Sequence, residues 1–252
     1  MSTAGATRVH VALERAGVAL HELAAELGVT NDELLATLGF LTEVGRADEM
    51  VLLSDVLGLS RLVDDQTHGA RDGTESNILG PFYRPGAPFV DNPGSLPHSE
   101  NDGPPLRIEG RVQSSHGGAP LPGAVVDVWH ANADGVYSNE AAGLHEWNLR
   151  GRQRTDVDGR YRLDTVQPSH YTVKHDGPVG RLLAAVGRHP WRPAHIHFRV
   201  SADGHRPLVT QAYLAGGPYL DDDAIQGVKA SLVVPIIRGH ATFDVILSPI
   251  HN

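Results

Sequence analysis

The sequence predicts a mainly β protein, in which a β-sandwich domain follows a helical domain, and three observations indicate this. All 17 prolines lie beyond residue 80. Short apolar runs separated by turns that contain Gly or Pro occupy residues 106–247, as in sandwiches and barrels. Leucines at helical spacing occupy the proline-free first 75 residues. We therefore expect a helical domain over residues 1–75 and a β-sandwich domain over residues 76–252.

The first domain is expected to contain three amphipathic helices. The apolar face of the first is formed by Leu13, Ala16, Leu20, Leu23 and Leu27. Gly28 is expected to end this helix, and Thr30 with Glu33 forms the sequence pattern of a capping box for the second. A third apolar stripe covers residues 50–63. Three short helices cannot bury such faces by themselves, so we expect them to pack on the second domain or on a second subunit.

Alternation of apolar and polar residues predicts the strands of the second domain. Residues 106–112 are a clear case, because Leu106 and Ile108 alternate with Arg107 and Glu109. The other strand-like runs cover residues 124–129, 160–163, 195–200, 209–214, 232–237 and 241–247. Gly-Gly, Asp-Gly and Pro-Gly turn signals separate these runs.

Composition and charge exclude several classes of function. A formal net charge of −9 argues against nucleic acid or an anionic membrane as the main partner. The absence of cysteine excludes a disulfide framework, a thiolate metal site and a cysteine nucleophile. The longest apolar runs, such as residues 233–237, are too short to span a bilayer, and the N-terminus lacks an apolar signal core. We expect a soluble, cytoplasmic protein without a membrane span.

A pair of histidines is the sharpest local signal for chemistry. His195 and His197 lie in a predicted strand, where residues two apart point to the same face and reach one metal ion. Tyr137 and Tyr171 follow predicted strands and lie in expected loops. Taken singly, these residues also fit the ordinary roles of a half-exposed histidine pair and of tyrosine rings that anchor loops. The residues alone therefore leave both interpretations open.

Several longer motifs follow one another in the second domain. They are residues 78–83 (ILGPFY), 123–132 (GAVVDVWHAN), 135–138 (GVYS), 150–151 (RG), 154–156 (RTD), 158–161 (DGRY), 192–198 (RPAHIHF) and 210–211 (TQ). In this order the motifs resemble the intradiol ring-cleavage dioxygenases, and within them the catechol and hydroxyquinol 1,2-dioxygenase group. The resemblance covers residues 77–227. Residues 40–42 and 52–58 resemble the helical dimerisation domain of the same enzymes, which implies a homodimer formed through the N-terminal helices.

The resemblance implies one non-haem Fe(III) per subunit, held by two tyrosines and two histidines. Residue by residue, these ligands fall on Tyr137, Tyr171, His195 and His197. Two phenolates, two neutral imidazoles and one hydroxide around Fe(III) sum to zero charge, so such a centre can be buried without a charge penalty. A phenol has a pKa near 10 in water, but a bound cation promotes its deprotonation.

The resemblance also implies the reaction, in which both atoms of O2 enter a catecholic substrate. The substrate binds the iron as a dianion, displaces Tyr171 and the hydroxide, and opens through a cyclic anhydride to a dicarboxylic acid. The displaced Tyr171 accepts a substrate proton. Arg192 stabilises the developing negative charge, and Gln211 supplies a supporting hydrogen bond. A surface salt bridge is the structural alternative for Arg192.

Asp55 indicates which catechol is accepted. Catechol enzymes tend to have proline at this position, whereas hydroxyquinol enzymes tend to have an acid that accepts a hydrogen bond from a third ring hydroxyl. We expect hydroxyquinol (1,2,4-trihydroxybenzene) to be cleaved to maleylacetate, with catechol and cis,cis-muconate as the alternative. A solvent-facing Asp55 is the structural alternative, and Lys174 stands where hydroxyquinol enzymes usually have proline. The pocket residues implied by the resemblance are Leu52, Asp55, Ile78, Gly80, Pro81, Phe82, Val173 and Ile225.

Two other classes of protein share parts of this pattern. Residues 110–112, 123–124 and 156–161 also resemble transthyretin-like β-sandwich modules, which bind partners without a metal. In such a module the tyrosines and histidines would be structural. A zinc hydrolase also fits the histidine pair, but the sequence shows neither an evident third ligand nor a general base.

Overall fold

The computed structural model describes residues 3–69, 71–140 and 143–250, and the chain divides into two compact units, residues 1–49 and 50–252. The first unit contains helices α1 (Thr3–Leu27) and α2 (Asn31–Arg46). Gly28, with φ of +63°, follows α1 as expected. The predicted capping box is confirmed, since the Thr30 hydroxyl accepts from Glu33 N and the Thr30 N donates to the Glu33 carboxylate.

Three helices belong to the second unit: α3 (Met50–Val56), α4 (Leu59–His68) and α5 (Pro178–Ala185). The sequence predicted one stripe over residues 50–63, but the structure divides it into α3 and α4. Gly58 adopts φ of +73° between them, a left-handed conformation that a helix interior does not allow. None of the helices in the described ranges is long and apolar enough to cross a bilayer.

The strands of the second unit are short. Their bounds are β1 (Gly94–Ser95), β2 (Pro105–Ser114), β3 (Val125–Trp129), β4 (Arg150–Arg154), β5 (Arg160–Val166), β6 (Tyr171–Thr172), β7 (Trp191–Arg192), β8 (His195–Ser201), β9 (Leu208–Leu214), β10 (Val233–Val234), β11 (His240–Thr242) and β12 (Val245–Leu247). The second unit is therefore mainly β, and helices form the described part of the first unit, as predicted.

These strands form two five-stranded sheets and a small ribbon. One sheet has the order β1-β5-β2-β11, with β12 also paired to β2, and the other has the order β10-β9-β8-β3-β4. Strands β6 and β7 form the ribbon. Both sheets contribute to one apolar cluster, which contains Ile108 and Leu163 from the first sheet and Val126 and Phe198 from the second. Side chains of both sheets thus form this core, and Phe198 of β8 packs in it.

Strand β4 was not predicted from the sequence, because its residues do not alternate in polarity. Its polar side chains are buried by bonding to backbone carbonyls rather than by apolar contact. Arg150 Nη1 donates to Phe82 O at 2.6 Å, and Gln153 Nε2 donates to Arg162 O at 3.0 Å. Buried polar groups are stable when they are hydrogen-bonded in this way.

Candidate metal centre

The two histidines of β8 point to one place. Their Nε2 atoms lie 3.1 Å apart, and both side chains are buried. His195 Nδ1 lies 2.8 Å from Pro193 O, an acceptor, so the proton sits on Nδ1 and Nε2 carries a free lone pair. Burial, reinforced by the charge of Arg192, lowers the pKa of both imidazoles well below its ordinary value. Both histidines are therefore neutral, the form that binds metals.

His197 is held by ring stacking. Its ring stacks on Trp129, the residue paired with it on the neighbouring strand β3, with centroids 4.7 Å apart and planes 10° from parallel. Its Nδ1 has no hydrogen-bond partner among the described residues. Gly80 approaches from the other side, with φ of +74°, and a Cβ there would lie 3.4 Å from His197 Cε1. The imidazole is thus fixed by van der Waals contact.

Two tyrosines face the histidines. The rings of Tyr137 and Tyr171 meet edge to face with centroids 5.5 Å apart, and their centroids lie 6.4 Å from His197 and 5.5 Å from His195, respectively. Phe82 stacks on Tyr137 at 4.3 Å. Burial raises the pKa of both phenols, and the nearby Arg192 guanidinium opposes this rise at Tyr171.

This donor set fits a cation with a preference for anionic oxygen. The Tyr137 hydroxyl is fully buried, and no hydrogen bond of acceptable geometry reaches it from the described residues. Leaving such a group unpaired is costly, and a bound cation would remove that cost. Two nitrogens bound to one ion at about 2.1 Å lie roughly 3 Å apart at a right angle, close to the separation observed here.

Other residue types give no comparable site. Within the described ranges, no group of three or more His, Cys, Asp or Glu side chains is placed to hold an ion. An ion bound by the histidine pair must therefore take its other protein ligands from elsewhere, and the two phenols are the groups that face the pair.

Arg192 lies beside this cluster at the centre of a bonded network. It is paired with Tyr171 in the β6–β7 ribbon, and its Nη1 lies 3.3 Å from Tyr171 Oη and 3.1 Å from His195 Nε2. Its Nε and Nη2 donate to Asp223 at 3.1 and 3.2 Å, and Nη2 also donates to Tyr213 Oη at 3.1 Å. Arg192 is buried, which excludes the surface salt bridge that the sequence left open.

Gln211 connects this network to the strand that carries the two histidines. It lies opposite His197 in the β8–β9 ladder. Its Oε1 accepts from Arg192 Nη2 at 3.1 Å and from Tyr213 Oη at 2.7 Å, and its Nε2 donates to Ile78 O at 2.9 Å. Both hydrogen-bonding ends of the amide are therefore occupied.

The sequence analysis missed Asp223 and Tyr213. Asp223 is the last of three consecutive aspartates, residues 221–223, and nothing in a local pattern distinguishes one from its neighbours. Tyr213 lies two residues after Gln211 on β9 and therefore on the same face, a period-two signal that could have identified it.

The structure places some of the predicted pocket residues in contact with the site and leaves others exposed. Asp55 is buried on α3, not solvent-facing, and burial raises its pKa while a hydrogen bond from Ser60 and the charge of Arg192 oppose the rise. Phe82, Gly80 and Ile78 touch the site through the contacts given above. Val173 and Ile225 are buried, Leu52 is half-buried one turn before Asp55, and Pro81 and Lys174 are exposed.

Comparisons with known proteins agree with this geometry. A sequence model of the family described as "Dioxygenase" matches residues 78–244, and a model described as "Catechol dioxygenase N terminus" matches residues 7–75. Together these two matches cover most of both units, including every residue of the candidate site.

Individual relatives are similar over most of their length. A hydroxyquinol 1,2-dioxygenase of Rhizobium sp. (strain MTP-10005) is 41% identical over 226 residues, covering 87% of this chain and 76% of the relative. A chlorocatechol 1,2-dioxygenase of Pseudomonas putida is 40% identical over 218 residues, covering 86% and 82%. A solved hydroxyquinol 1,2-dioxygenase from Pseudomonas putida DLL-E4 matches with a TM-score of 0.91 at 35% identity, covering 97% of this chain and 93% of that chain. The chain therefore belongs to the intradiol ring-cleaving dioxygenases.

Proposed function

We propose that this dioxygenase cleaves hydroxyquinol to maleylacetate and inserts both atoms of O2. The observation that carries the substrate assignment is the burial of Asp55, a carboxyl group 7% exposed that interacts electrostatically with Arg192 and Asp223. A relative that cleaves hydroxyquinol, by its name, is 41% identical, but a chlorocatechol enzyme is 40% identical. Overall similarity therefore does not distinguish the substrates, and the proposal rests on Asp55 instead.

We infer that Tyr137, Tyr171, His195 and His197 hold one non-haem Fe(III) per subunit, the metal on which this family depends. The unpartnered Tyr137 hydroxyl and the facing Nε2 atoms support this ligand set. When bound, Fe(III) supplies a Lewis acid that binds the two adjacent hydroxyls of the substrate and makes the ring reactive toward O2.

Three residues of the chain accept a proton, stabilise negative charge and exclude water during that reaction. Tyr171 Oη, which iron would hold as a phenolate, is the base we assign to one substrate hydroxyl, since Tyr171 lies on a ribbon only two residue pairs long. Arg192 Nη1 faces the same volume and stabilises negative charge that develops there. Phe82, stacked on Tyr137, excludes water from the phenol.

Asp55 supplies discrimination between substrates. A buried carboxylate is costly unless something donates to it, and the third hydroxyl of hydroxyquinol is such a donor. Catechol has no hydroxyl at that position and would leave the carboxylate with one partner fewer. Sites that hydrogen-bond a substrate hydroxyl reject analogues without it by large factors.

Steady-state assays on hydroxyquinol, catechol and a chlorocatechol test the substrate. We expect the highest kcat/KM for hydroxyquinol, and a higher value for catechol would overturn the assignment. Asp55→Ala should lower kcat/KM for hydroxyquinol by about 10- to 100-fold, the loss expected for one hydrogen bond to a charged group, and should change the value for catechol much less. Val51→Ala is the control, because Val51 lies on the same helix with its side chain exposed.

Metal analysis with a visible spectrum tests the iron site. Tyrosinate bound to Fe(III) should colour the protein through charge transfer, and anaerobic addition of hydroxyquinol should shift the band. The family match sets aside the metal-free binding module and the zinc hydrolase as descriptions of this chain.

Two further expectations concern architecture. We infer that the two five-stranded sheets form a β-sandwich, because Tyr161 of one meets Phe198 of the other with ring centroids 6.1 Å apart. We also infer a homodimer through the N-terminal helices. Leucines of α1, among them Leu13 and Leu20, are 70% and 64% exposed, and such faces are typical of interfaces. Light scattering at several concentrations tests the dimer.

A further inference from the structure

One buried carboxylate has no part in the reaction proposed above. The Asp223 side chain is 1% exposed. Its Oδ1 and Oδ2 accept from Arg192 Nε and Nη2 at 3.1 and 3.2 Å, and Oδ2 also accepts from Gly227 N at 3.0 Å. Both oxygens are therefore committed to groups of the chain, and neither is free to bind substrate.

The contact decides which edge of Arg192 faces the reaction. Asp223 occupies Nε and Nη2, and Nη2 also bonds Gln211 and Tyr213. Nη1 remains, and it faces Tyr171 Oη and His195 Nε2. A guanidinium is a planar group with five donors, so fixing two of its nitrogens fixes the third.

The pair also controls charge. A guanidinium buried without a counter-ion strongly destabilises the protein. Without Asp223, the Arg192 side chain would therefore move to bond water or another carboxylate. With Asp223 in place the pair carries no net charge.

The segment that carries Asp223 is itself fixed by two other arginines. Arg188 Nη2 donates to Ala224 O at 2.7 Å, and Arg61 Nη1 donates to Gln226 O at 2.7 Å. Gly227 lets the segment approach closely, since a Cβ there would lie 2.9 Å from Tyr213 Oη and 3.1 Å from both Arg192 Nη2 and Asp223 Oδ2. The fold thus places the carboxylate rigidly against the guanidinium.

We propose that Asp223 is a positioning residue for ring cleavage, which acts through Arg192 by holding its Nη1 toward Tyr171 and neutralising its charge. This inference rests on the role of Arg192 in the proposed function. Asp223 touches neither substrate nor the iron ligands, so its loss should affect the chemical step more than substrate binding.

Asp223→Asn tests this in the iron-loaded enzyme. We expect kcat on hydroxyquinol to fall about 100-fold, as for a catalytic group displaced by about 1 Å. The Kd of hydroxyquinol under anaerobic conditions should change less than threefold, and the tyrosinate charge-transfer band should shift. Asp64→Asn is the matched control, because Asp64 is also a nearly buried carboxylate bonded to a cation, Lys229, but lies outside the site. It should lower the thermal midpoint while leaving kcat and the band unchanged.

Gly227→Ala is a second variant that keeps every charge. Its methyl group should displace the pair, so we expect at least a tenfold fall in kcat and a band shift. Normal kcat and an unshifted band in both Asp223→Asn and Gly227→Ala, with active and coloured wild type, would overturn this proposal alone. The same holds if Asp64→Asn loses kcat as severely as Asp223→Asn. A colourless and inactive wild type after iron loading would overturn the proposed function and, with it, this role of Asp223.

Discussion

The site has two halves that differ in how their polar atoms are bonded. One is formed by the proposed iron ligands Tyr137, Tyr171, His195 and His197, and the other is an arginine half around Arg192. In the half with the proposed ligands, Tyr137 Oη lacks a hydrogen-bond partner among the described residues. In the arginine half, Arg192 alone bonds to five side chains. The polar atoms around Arg192 are hydrogen-bonded within the chain, which fixes their geometry before a ligand binds. The Tyr137 hydroxyl, which a bound metal would complete, has no such bond among the described residues.

Two tyrosines show this difference within one residue type. Tyr137 and Tyr213 are both completely buried. The Tyr137 hydroxyl has no partner of acceptable geometry, whereas the Tyr213 hydroxyl donates to Gln211 and accepts from Arg192 and Asn77. Removing each oxygen should therefore have opposite consequences for stability and for metal binding.

The largest effect is expected from Tyr137→Phe. Loss of an iron ligand should exceed the 10- to 100-fold loss typical of residues that only support ligands, so we expect activity to fall more than about 100-fold and the iron content to drop. The metal-free variant should be about as stable as metal-free wild type, because no hydrogen bond of acceptable geometry reaches the deleted oxygen from the described residues. Iron analysis and urea unfolding of the metal-free proteins measure both outcomes.

Tyr213→Phe is the matched comparison. It removes three hydrogen bonds, although Gln211, Arg192 and Asn77 each keep another partner. The free energy of unfolding of the metal-free protein should therefore fall by about 1–3 kcal/mol, while iron is retained. If Tyr137→Phe destabilised the metal-free protein as much as Tyr213→Phe does, the difference between the two halves would not exist.

A smaller effect is expected from Gly135→Ala, which tests how closely the backbone holds Tyr171. Gly135 has φ of +79°, and a Cβ there would lie 2.8 Å from Tyr171 Cβ and 3.0 Å from His170 O. We expect at least about a tenfold fall in kcat, since Tyr171 must shift away from its place.

Gly118→Ala provides the control for backbone strain. Gly118 has φ of +67° but has nothing within 4 Å of the added Cβ. It should lose about 1 kcal/mol of stability from strain and keep full activity. Equal activities for the two variants, measured with the same iron content, would show that Gly135 contributes only its conformation.

The last expected effect is on the pH dependence of stability and comes from His130, a buried histidine whose two ring nitrogens are both bonded, to Ala131 O and Thr165 Oγ1. Burial lowers its pKa to about 4, below the value of 6.5 expected when unfolded. The stability it contributes is therefore complete above pH 6.5 and is lost as the pH falls through 4. The total is on the order of 3 kcal/mol.

The pH dependence of unfolding in wild type and His130→Gln measures this contribution. The free energy of unfolding should fall less steeply between pH 6.5 and 4 in the variant. Asp127, whose pKa burial raises to about 6, contributes with the opposite sign in both proteins, and so their difference isolates His130. Parallel curves would contradict the assignment.

Much of the fold could be predicted from local patterns. The capping box of α2 follows from Thr30 and Glu33, and strand β2 follows from alternation. Strands β8 and β9 follow from short strand-like runs between turn signals. Strand β4 and helix α5 could not be predicted in this way. In β4 the buried polar groups are arginine and glutamine side chains, whose carbonyl partners Phe82 O and Arg162 O lie outside the strand, 68 and 9 residues away.

In the candidate site, too, some residues follow from local sequence patterns and others only from contacts between distant segments. His195 and His197 share a face because successive strand residues alternate, and so this pair follows from spacing alone. Tyr137 and Tyr171 were placed beside them by family resemblance, and their roles as ligands stay a prediction that the iron measurements test. Asp223 required coordinates, because its partner Arg192 is 31 residues away and its neighbours in sequence are chemically identical.

The sequence by itself determined the strand that carries the histidines, the helical start of the chain and the residue types available to a metal. These follow from interactions between residues a few positions apart, which local spacing records. The tertiary structure alone decided that the Tyr137 hydroxyl stays unbonded while that of Tyr213 is bonded three times, and that Asp223 rather than Asp221 or Asp222 meets Arg192. Those outcomes depend on burial and on contacts between distant segments, which exist only once the two sheets and the connecting loops have packed.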